Sequence, residues 1–217
     1  MKRLLTLLLL SATVGCQAEF EFKIKTDKEA GEQQPVAIDQ EAIRKEQALT
    51  AYDEGMEFAA GQDWDHAIES YTCSIELDPD NPRAFYGRGI AQGGSGEFTM
   101  AIEDLSQAIN IDPDYYDAYR FRASAYGTTG NYEGAIEDFT EAIRIQPENP
   151  ASYYSRGVKH SRQGAYKSAV ADFTEAIRLK TTNPLAYLLR GYVYHEQGEE
   201  DKARADFAVA RAMGLVR

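Results

Sequence analysis

Residues 116–149 read YDAYRFRASAYGTTGNYEGAIEDFTEAIRIQPEN, and the pattern of this 34-residue stretch recurs along most of the chain. It contains two helix-forming segments, with a small residue in the first and an alanine and a bulky apolar residue in the second. Each of these positions recurs every 34 residues, which predicts a repeated two-helix unit. The three series are Gly55, Gly89, Ala123, Gly157 and Gly191; Ala67, Ala101, Ala135, Ala169 and Ala203; and Tyr71, Leu105, Phe139, Phe173 and Phe207.

Capping and turn residues mark where the helices of each unit begin and end. A first helix is expected to begin after an Asn N-cap followed by Pro, whose missing N–H costs nothing at the first helical position. It is expected to end near a Gly, which tolerates a left-handed turn, and the second helix ends before a Pro. These residues are Asn81, Asn149 and Asn183; Gly96, Gly130, Gly164 and Gly198; and Pro79, Pro113 and Pro147, with Thr181 breaking the last series.

The 34-residue period with this order of small residue, aromatic and Pro resembles the tetratricopeptide repeat family. The resemblance covers residues 48–217 without an insertion. It implies an all-α fold, a right-handed superhelical α-solenoid of five helix–turn–helix units. Such units stack because none can bury its apolar stripe alone, and the stack leaves a long concave surface. This shape favours a non-enzymatic protein–protein interaction scaffold over an enzyme. The five predicted units are residues 48–81, 82–115, 116–149, 150–183 and 184–217.

In this family the first helix of each unit lines the concave surface on the flank opposite the small residue. Here that flank combines aromatic and aliphatic anchors with a few charges, which suits an extended peptide or a helix of a partner. The alternative is that these residues pack against neighbouring helices. The chaperone-tail clamp of one subtype is excluded, because the positions of its paired Asn and Lys hold other residues here. These are Met56, Ile90, Ser124 and Val158. The predicted groove residues are Tyr52, Met56, Tyr86, Ile90, Arg120, Tyr154, Val158, Leu188 and Tyr192.

A second recurrence joins an Arg just before the small residue to an Asp just before the aromatic of the second helix. The first unit lacks both and has Glu54 and Ser70 instead. Joint presence and joint absence predict a partly buried ion pair between the two helices of a unit. The alternative, arginines that line a groove for an acidic partner, is disfavoured because the matched acids would neutralise them. The predicted pairs are Arg88–Asp104, Arg122–Asp138, Arg156–Asp172 and Arg190–Asp206.

Residues 1–15 have the features of an export signal peptide. Lys2 and Arg3 precede an apolar run that is too short to span a bilayer as a stable anchor. The run ends in Thr-Val-Gly-Cys16, which resembles the lipobox of bacterial lipoproteins. That resemblance implies acylation of Cys16, and Gln17 after it implies sorting to the outer membrane, facing the periplasm. The alternative is cleavage after Ala18, which would release a soluble secreted interaction module.

Between Cys16 and the first repeat, residues 16–47 are predicted to be a tether followed by the start of the first helix. Residues 17–37 mix charges with Gly31 and Pro35 and have no helical period, whereas a helical pattern begins near Ile38 or Asp39. If Cys16 carries lipid, Cys73 is the only other cysteine and no disulfide can form. The repeats would then fold by packing alone.

Composition and spacing argue against several classes of function. The formal net charge of −12 and the absence of a Lys/Arg run disfavour nucleic acid as a partner. The three histidines have no i, i+4 pair, and no Ser–His–Asp arrangement can be assembled, so we expect no metal, cofactor or catalytic site.

Two features of individual repeats lead to further expectations. The glycine-rich stretch from Gly87 to Gly96 lacks the Lys-Ser/Thr of a phosphate loop, and we expect it to make the first helix of repeat 2 the least stable one. The last repeat has no extra capping helix. Its apolar residues therefore predict a surface for a homodimer or a partner. These residues are Phe207, Met213, Leu215 and Val216.

Overall fold

The structure is a computed structural model that describes residues 39–180 and 182–214, which form ten α-helices joined by short turns. The predicted signal peptide and Cys16 lie outside these residues, as do Leu215 and Val216. The helices are α1 (Gln40–Ala60), α2 (Trp64–Leu77), α3 (Pro82–Ser95), α4 (Phe98–Ile111), α5 (Tyr116–Thr128), α6 (Tyr132–Ile145), α7 (Pro150–Arg162), α8 (Tyr166–Arg178), α9 (Leu185–Glu196) and α10 (Glu200–Ala212).

Consecutive helices form five pairs, and the second helix of each pair packs against the first helix of the next pair. The prediction of an all-α solenoid of five two-helix repeats is therefore confirmed. α1 is the longest helix, and Asp39 caps its N-terminus by accepting hydrogen bonds from the backbone N–H groups of Glu41 and Ala42. Its start thus lies where the helical pattern of the sequence begins.

The series of small residues allows the two helices of a repeat to approach closely. A Cβ atom on Gly55 would lie 2.8 Å from the ring of Tyr71, and one on Gly191 would lie 2.7 Å from the ring of Phe207. The alanine series faces the same interfaces and is completely or almost completely buried. The core is therefore a line of four small clusters, three of which join neighbouring repeats, instead of a single central cluster.

Most of the predicted caps are present. Asn81 and Asn149 accept hydrogen bonds at the starts of α3 and α7, and all four glycines predicted to end the first helices have positive φ angles of 75–93°. In repeat 1 the same position holds Gln62, which has a φ of 60°. A left-handed backbone is uncommon for a residue other than glycine, because its Cβ lies too close to the following carbonyl oxygen.

The junction between repeats 4 and 5 differs from the others because it lacks the Pro that follows a second helix. α8 ends at Arg178, and Lys180 adopts a left-handed φ of 59°. Asn183 still accepts a hydrogen bond from the backbone N–H of Leu185, but α9 begins at Leu185, one residue later than the Asn-Pro pattern predicts.

The glycines of α3 are explained by the aromatic side chains of repeat 1. A Cβ on Gly87 would lie 2.6 Å from the ring of Tyr71, and one on Gly94 would lie 2.7 Å from the ring of Trp64. Gly93 has open space around it instead. Two of these glycines therefore make room for rings of the preceding repeat, while the low stability expected for α3 stays a prediction.

Candidate protein-binding surface

The first helices of the five repeats lie on the inside of the stack. Contacts join α1 to α3, α3 to α5 and α7 to α9, whereas no comparable contact joins second helices in the described part of the chain. In a curved stack of repeats, the helices on the concave side lie closer to each other than those on the convex side, so the first helices line the concave side. We call the inner side of these helices the first-helix surface; it carries the nine predicted groove residues.

The structure places the predicted groove residues at different depths on the first-helix surface. Met56 in repeat 1 and Tyr192 in repeat 5 are the most exposed, at 43% and 54%. The other seven are half-buried. Tyr154 and Val158 pack against the core around Phe173. These two residues therefore contribute to helix packing as well as to the first-helix surface. A partner would therefore meet accessible apolar side chains at the two ends of the surface and partly packed ones between them.

An aromatic cluster connects the first-helix surfaces of repeats 2 and 3. Its members are Tyr86, Tyr115 and Phe121. The ring centroid of Tyr86 lies 5.1 Å from that of Tyr115 and 5.6 Å from that of Phe121, in tilted and edge-to-face arrangements that favour aromatic attraction. Phe121 remains 38% exposed. The cluster offers a ring surface on which an apolar or aromatic side chain could pack.

The tyrosine hydroxyls of this cluster are held in their neutral form. Burial raises the pKa of Tyr115 to about 12, and it raises the pKa of Tyr86 further still. Nearby Asp117 adds to both shifts. At neutral pH both hydroxyls therefore remain available to donate a hydrogen bond.

Arg120 provides a positive charge in the middle of the first-helix surface. Its Nη1 donates to Asp117 Oδ1 at 2.9 Å, and its guanidinium lies over the rings of Tyr116 and Phe121 at 5.4 and 5.8 Å. These contacts fix the orientation of the side chain while leaving it partly exposed. A guanidinium held in this way is suited to bind a carboxylate or a backbone carbonyl of a partner.

Sequence reasoning missed two members of the aromatic cluster. Tyr115 occupies the register position at which Asn81 and Asn149 cap other first helices, and the structure gives α5 no side-chain cap. Its departure from the Asn series was a readable signal of another role. Phe121 follows Arg120, at a position that holds Gly87 in the preceding repeat, so no repeated pattern pointed to it.

All four Arg–Asp ion pairs are present, each with two hydrogen bonds of 2.7–2.9 Å. The Asp side chains are almost fully buried, and the Arg side chains are 15–20% exposed. The hydrogen bonds that Arg190 donates to Asp206 raise the pKa of this arginine, as expected for a charge-assisted pair. These arginines join helices and do not line an open groove.

Each of these arginines also makes a contact that sequence reasoning missed. Its Nη1 donates to a hydroxyl of the second helix in the preceding repeat, at 2.9–3.0 Å. One guanidinium thus ties together three helices from two repeats. The hydroxyl series has the same 34-residue spacing and ends at Ala208, which has no following repeat in the described chain. The pairs are Arg88–Thr72, Arg122–Ser106, Arg156–Thr140 and Arg190–Thr174.

Models of repeat families match most of this helical stack. The model described as "TPR repeat" matches residues 55–96, 123–164 and 160–198, which together exceed half of the chain, and a second model, "Tetratricopeptide repeat", matches residues 82–115. The chain belongs to the tetratricopeptide repeat family. Proteins of this family are generally non-enzymatic interaction modules, and the fold supports a role as a protein–protein interaction scaffold.

Solved tetratricopeptide structures share this fold. A crystal structure of MamA is 25% identical and superposes with a TM-score of 0.73, covering 77% of this chain and 92% of MamA. YrrB, described as a TPR protein with an unusual peptide-binding site, is 16% identical with a TM-score of 0.70, covering 80% and 89%. PilF of Pseudomonas aeruginosa is 18% identical with a TM-score of 0.69, covering 80% and 79%. Comparison with curated proteins gave no match.

Within residues 39–180 and 182–214, no helix combines the length and the apolar character needed to cross a bilayer. The same residues contain no group of three or more His, Cys, Asp and Glu side chains placed to hold a metal ion.

Proposed function

We propose that this tetratricopeptide protein is a non-enzymatic scaffold of the bacterial cell envelope that binds a segment of a partner protein along its first-helix surface. The observation that carries the proposal is the row of partly exposed aromatic and aliphatic side chains from Met56 to Tyr192. YrrB, which has the same fold, is described as having a peptide-binding site. An extended peptide or a helix is the type of ligand that such a surface accommodates.

The distribution of side chains defines the chemistry of the proposed ligand. Apolar residues are most accessible in the end repeats, at Met56 and Tyr192. The middle repeat adds the polar side chains of Asp117, Arg120 and Ser124 beside the aromatic cluster. We therefore propose a segment with apolar anchors at both ends and a hydrogen-bonding or acidic group between them. The acidic net charge makes nucleic acid the least suitable partner, because its phosphates would be repelled.

Site-specific photo-crosslinking tests this proposal directly. A photo-reactive amino acid would replace Met56 or Tyr192 on the first-helix surface, or Met100 on the second helix α4 as a control. Met100 is 51% exposed, so it matches the other two in accessibility. The expected result is one partner, identified by mass, that is crosslinked from Met56 and Tyr192 but not from Met100. Crosslinking from Met100 alone would contradict the proposal.

A binding measurement with the identified partner segment tests the role of the central charge. Arg120→Ala is expected to weaken binding, because a partly desolvated guanidinium contributes more than an ion pair in open solvent. Arg178→Ala on α8 is the matched control, since Arg178 is exposed and its ion pair with Glu175 lies on a second helix. Equal losses of affinity in both variants would argue against binding at the first-helix surface.

We further propose that the protein is exported and anchored through a lipid on Cys16, at the outer membrane and facing the periplasm. The export-signal pattern of residues 1–15 and the resemblance of residues 13–16 to a lipobox support this proposal. A soluble secreted form, cleaved after Ala18, is the alternative. Labelled palmitate incorporated by the wild type but not by Cys16→Ala supports the anchor, whereas unlabelled protein in the medium would support the soluble form.

A further inference from the structure

The two ends of the helical stack expose surfaces that are buried in the inner repeats. Inside the stack, each second helix packs against the first helix of the following repeat. In the described part of the chain, α1 has no repeat before it and α10 has none after it. The faces of α1 and α10 where another repeat would pack are called the leading end and the trailing end below.

At the trailing end, arginines occupy two register positions that hold apolar residues in the second helices of the other repeats. In inner repeats one row packs against the next first helix, as Val170 does beside Leu189 and Val193, and a second row does so at Ile109 beside Ala118. At the same register in α10, the two rows hold arginines that are both exposed. The rows are Ile68, Ile102, Ile136, Val170 and Arg204, and Ile75, Ile109, Ile143, Ile177 and Arg211.

The leading end carries the opposite charge. Glu54 occupies the register of the arginines that reach back to the preceding repeat, as Arg88 reaches Thr72 at 3.0 Å. Asp53 and Glu57 flank it, and all three are exposed without an ion pair in the described structure. Residues 48–81 as a whole contain nine Asp and Glu and no Lys or Arg. The two basic residues earlier in α1 are engaged within the same chain, since Arg44 donates to the carbonyl of Glu76 and Lys45 pairs with Glu41.

We propose that the leading end of one copy binds the trailing end of a second copy, so that the helical stack continues from one molecule into the next. In the register of the repeats, Glu54 of the second copy would lie beside Ala208 of the first. Arg204 and Arg211 lie about one helical turn from Ala208 on either side, on the same face of α10. Charge complementarity selects this occupant, since acidic and basic ends of the same chain match each other.

Solubility alone does not account for this arrangement. A polar cap of either sign would protect an end repeat from aggregation. Ends of opposite sign also select one way of association. A leading end attracts a trailing end, whereas two leading ends or two trailing ends repel each other. The contact joins two different surfaces, so it produces an open head-to-tail chain and not a closed symmetric dimer.

The strength of the contact follows from its exposure. Arg204 also pairs with Asp201 in its own helix at 2.5 Å, and this pair competes with the second copy for the guanidinium. Exposed charge pairs are weak and are screened within about 10 Å at moderate salt. We therefore expect association that requires high protein concentration and low ionic strength.

Sedimentation velocity of the purified protein, at about 20 mM and about 0.5 M NaCl, tests the proposal. In low salt the average sedimentation coefficient is expected to rise with protein concentration, and in high salt the rise is expected to disappear. A coefficient that is independent of concentration in low salt would overturn the proposal, as would an increase that persists unchanged in high salt. If residues of the same chain occupied the leading end, the sedimentation coefficient would not depend on concentration in low salt, and this result would also overturn the proposal.

Two neutral double variants establish the polarity of the contact. Glu54→Gln/Glu57→Gln neutralises two of the three acids at the leading end, and Arg204→Gln/Arg211→Gln neutralises both arginines at the trailing end, all at exposed positions. Each variant alone is expected to stay monomeric, whereas an equimolar mixture forms a 1:1 dimer through the one remaining acidic end and the one remaining basic end. A mixture that stays monomeric would overturn the proposal, as would either variant that associates alone.

A control variant distinguishes the effect of charges at the leading end from the effect of the net charge of the protein. Asp65→Asn/Glu69→Gln changes two exposed acids on α2 of the same repeat, so its net charge equals that of the leading-end variant. It is expected to associate like the wild type, and loss of association in this control would contradict the assigned surface. Because no residue of the first-helix surface is changed, failure of this proposal leaves the proposed partner binding intact.

Discussion

Arg156 Nη1 donates a hydrogen bond to Thr140 Oγ1 at 3.0 Å, across the boundary between repeats 3 and 4. Thr140 in turn donates to the backbone carbonyl of Ile136 at 2.7 Å, so its hydroxyl is used in both directions. Nε and Nη2 of the same guanidinium donate to the carboxylate of Asp172 in the second helix of repeat 4. A single side chain therefore couples the fold of one repeat to that of its neighbour.

Thr140→Val tests the contribution of this boundary contact. We expect the free energy of unfolding to fall by about 1 kcal/mol, because Arg156 loses one acceptor while the shape of the side chain is kept. Thr128→Val is the control, since Thr128 is an exposed helical threonine whose hydroxyl donates to the carbonyl of Ser124 in its own helix. Urea unfolding measures both. Equal effects in the two variants would mean that the hydroxyl does not join repeats.

The ion pair of the same arginine is tested by a double-mutant cycle. Asp172→Ala alone is expected to cost about 3–5 kcal/mol, because it leaves the guanidinium of Arg156 without its buried partner. Arg156→Met combined with Asp172→Ala is expected to cost less than the sum of the two single changes. Additive costs in urea unfolding would show that the two side chains do not depend on each other.

How far the sequence predicts this fold depends on whether a feature recurs in every repeat. The small-residue series predicted the helix pairs because a Cβ at Gly191 would collide with Phe207, and the same constraint applies in each unit. The Arg–Asp pairs were readable for the same reason. The Thr and Ser acceptors were equally periodic, but recognising their role required knowing which helix faces the next repeat.

Features that break the repeat were harder to predict. Tyr115 and Phe121 occur once each, so their meeting with Tyr86 depends on packing between repeats and not on a pattern. The trailing end shows the opposite case. Arg204 and Arg211 interrupt two regular apolar series. The prediction of an apolar surface at the last repeat did not take these two arginines into account. Phe207, one basis of that expectation, packs inside its own repeat against Tyr192 at 5.1 Å.

The glycines of α3 provide a pair of contrasting substitutions in one helix. Gly87→Ala is expected to destabilise the protein, because the new Cβ would lie 2.6 Å from the ring of Tyr71. Gly93→Ala places its Cβ in open space and is expected to stabilise the protein by about 0.5–1 kcal/mol, through higher helix propensity. Thermal unfolding distinguishes the two. Stabilisation by both changes would contradict close packing of Tyr71 on α3.

Gln62 offers a test of backbone strain at the end of α1. Gln62→Gly is expected to raise the free energy of unfolding by about 0.5–1 kcal/mol, because glycine adopts the observed φ of 60° without steric cost. Gln163→Gly is the control: Gln163 ends α7 with a φ of −82°, so glycine there should give no gain. A gain of similar size in both variants would rule out relief of strain as the cause.

His160 is expected to make stability depend on pH. Burial lowers its pKa, and nearby Arg156 lowers it further against the opposing charge of Asp172. The Nδ1 atom is buried and has no hydrogen-bond partner. The unfolded chain therefore binds a proton near pH 6.5, whereas the folded protein binds it only at lower pH. Since the unfolded state holds more protons in this window, the free energy of unfolding rises with pH, and it falls as the pH drops below about 6.5.

His160→Tyr isolates this contribution, because Tyr126 and Tyr194 occupy the same register and lie over the arginines of their own repeats. We expect the variant to lose the decrease in stability between about pH 7 and pH 5 that is due to this imidazole. His66→Gln is the control with the opposite sign. A hydrogen bond to Asp63 raises the pKa of His66, so its removal should reduce stability only at the acidic end. Chemical unfolding at several pH values measures all three proteins, and an unchanged slope in His160→Tyr would show that the imidazole titrates equally in both states.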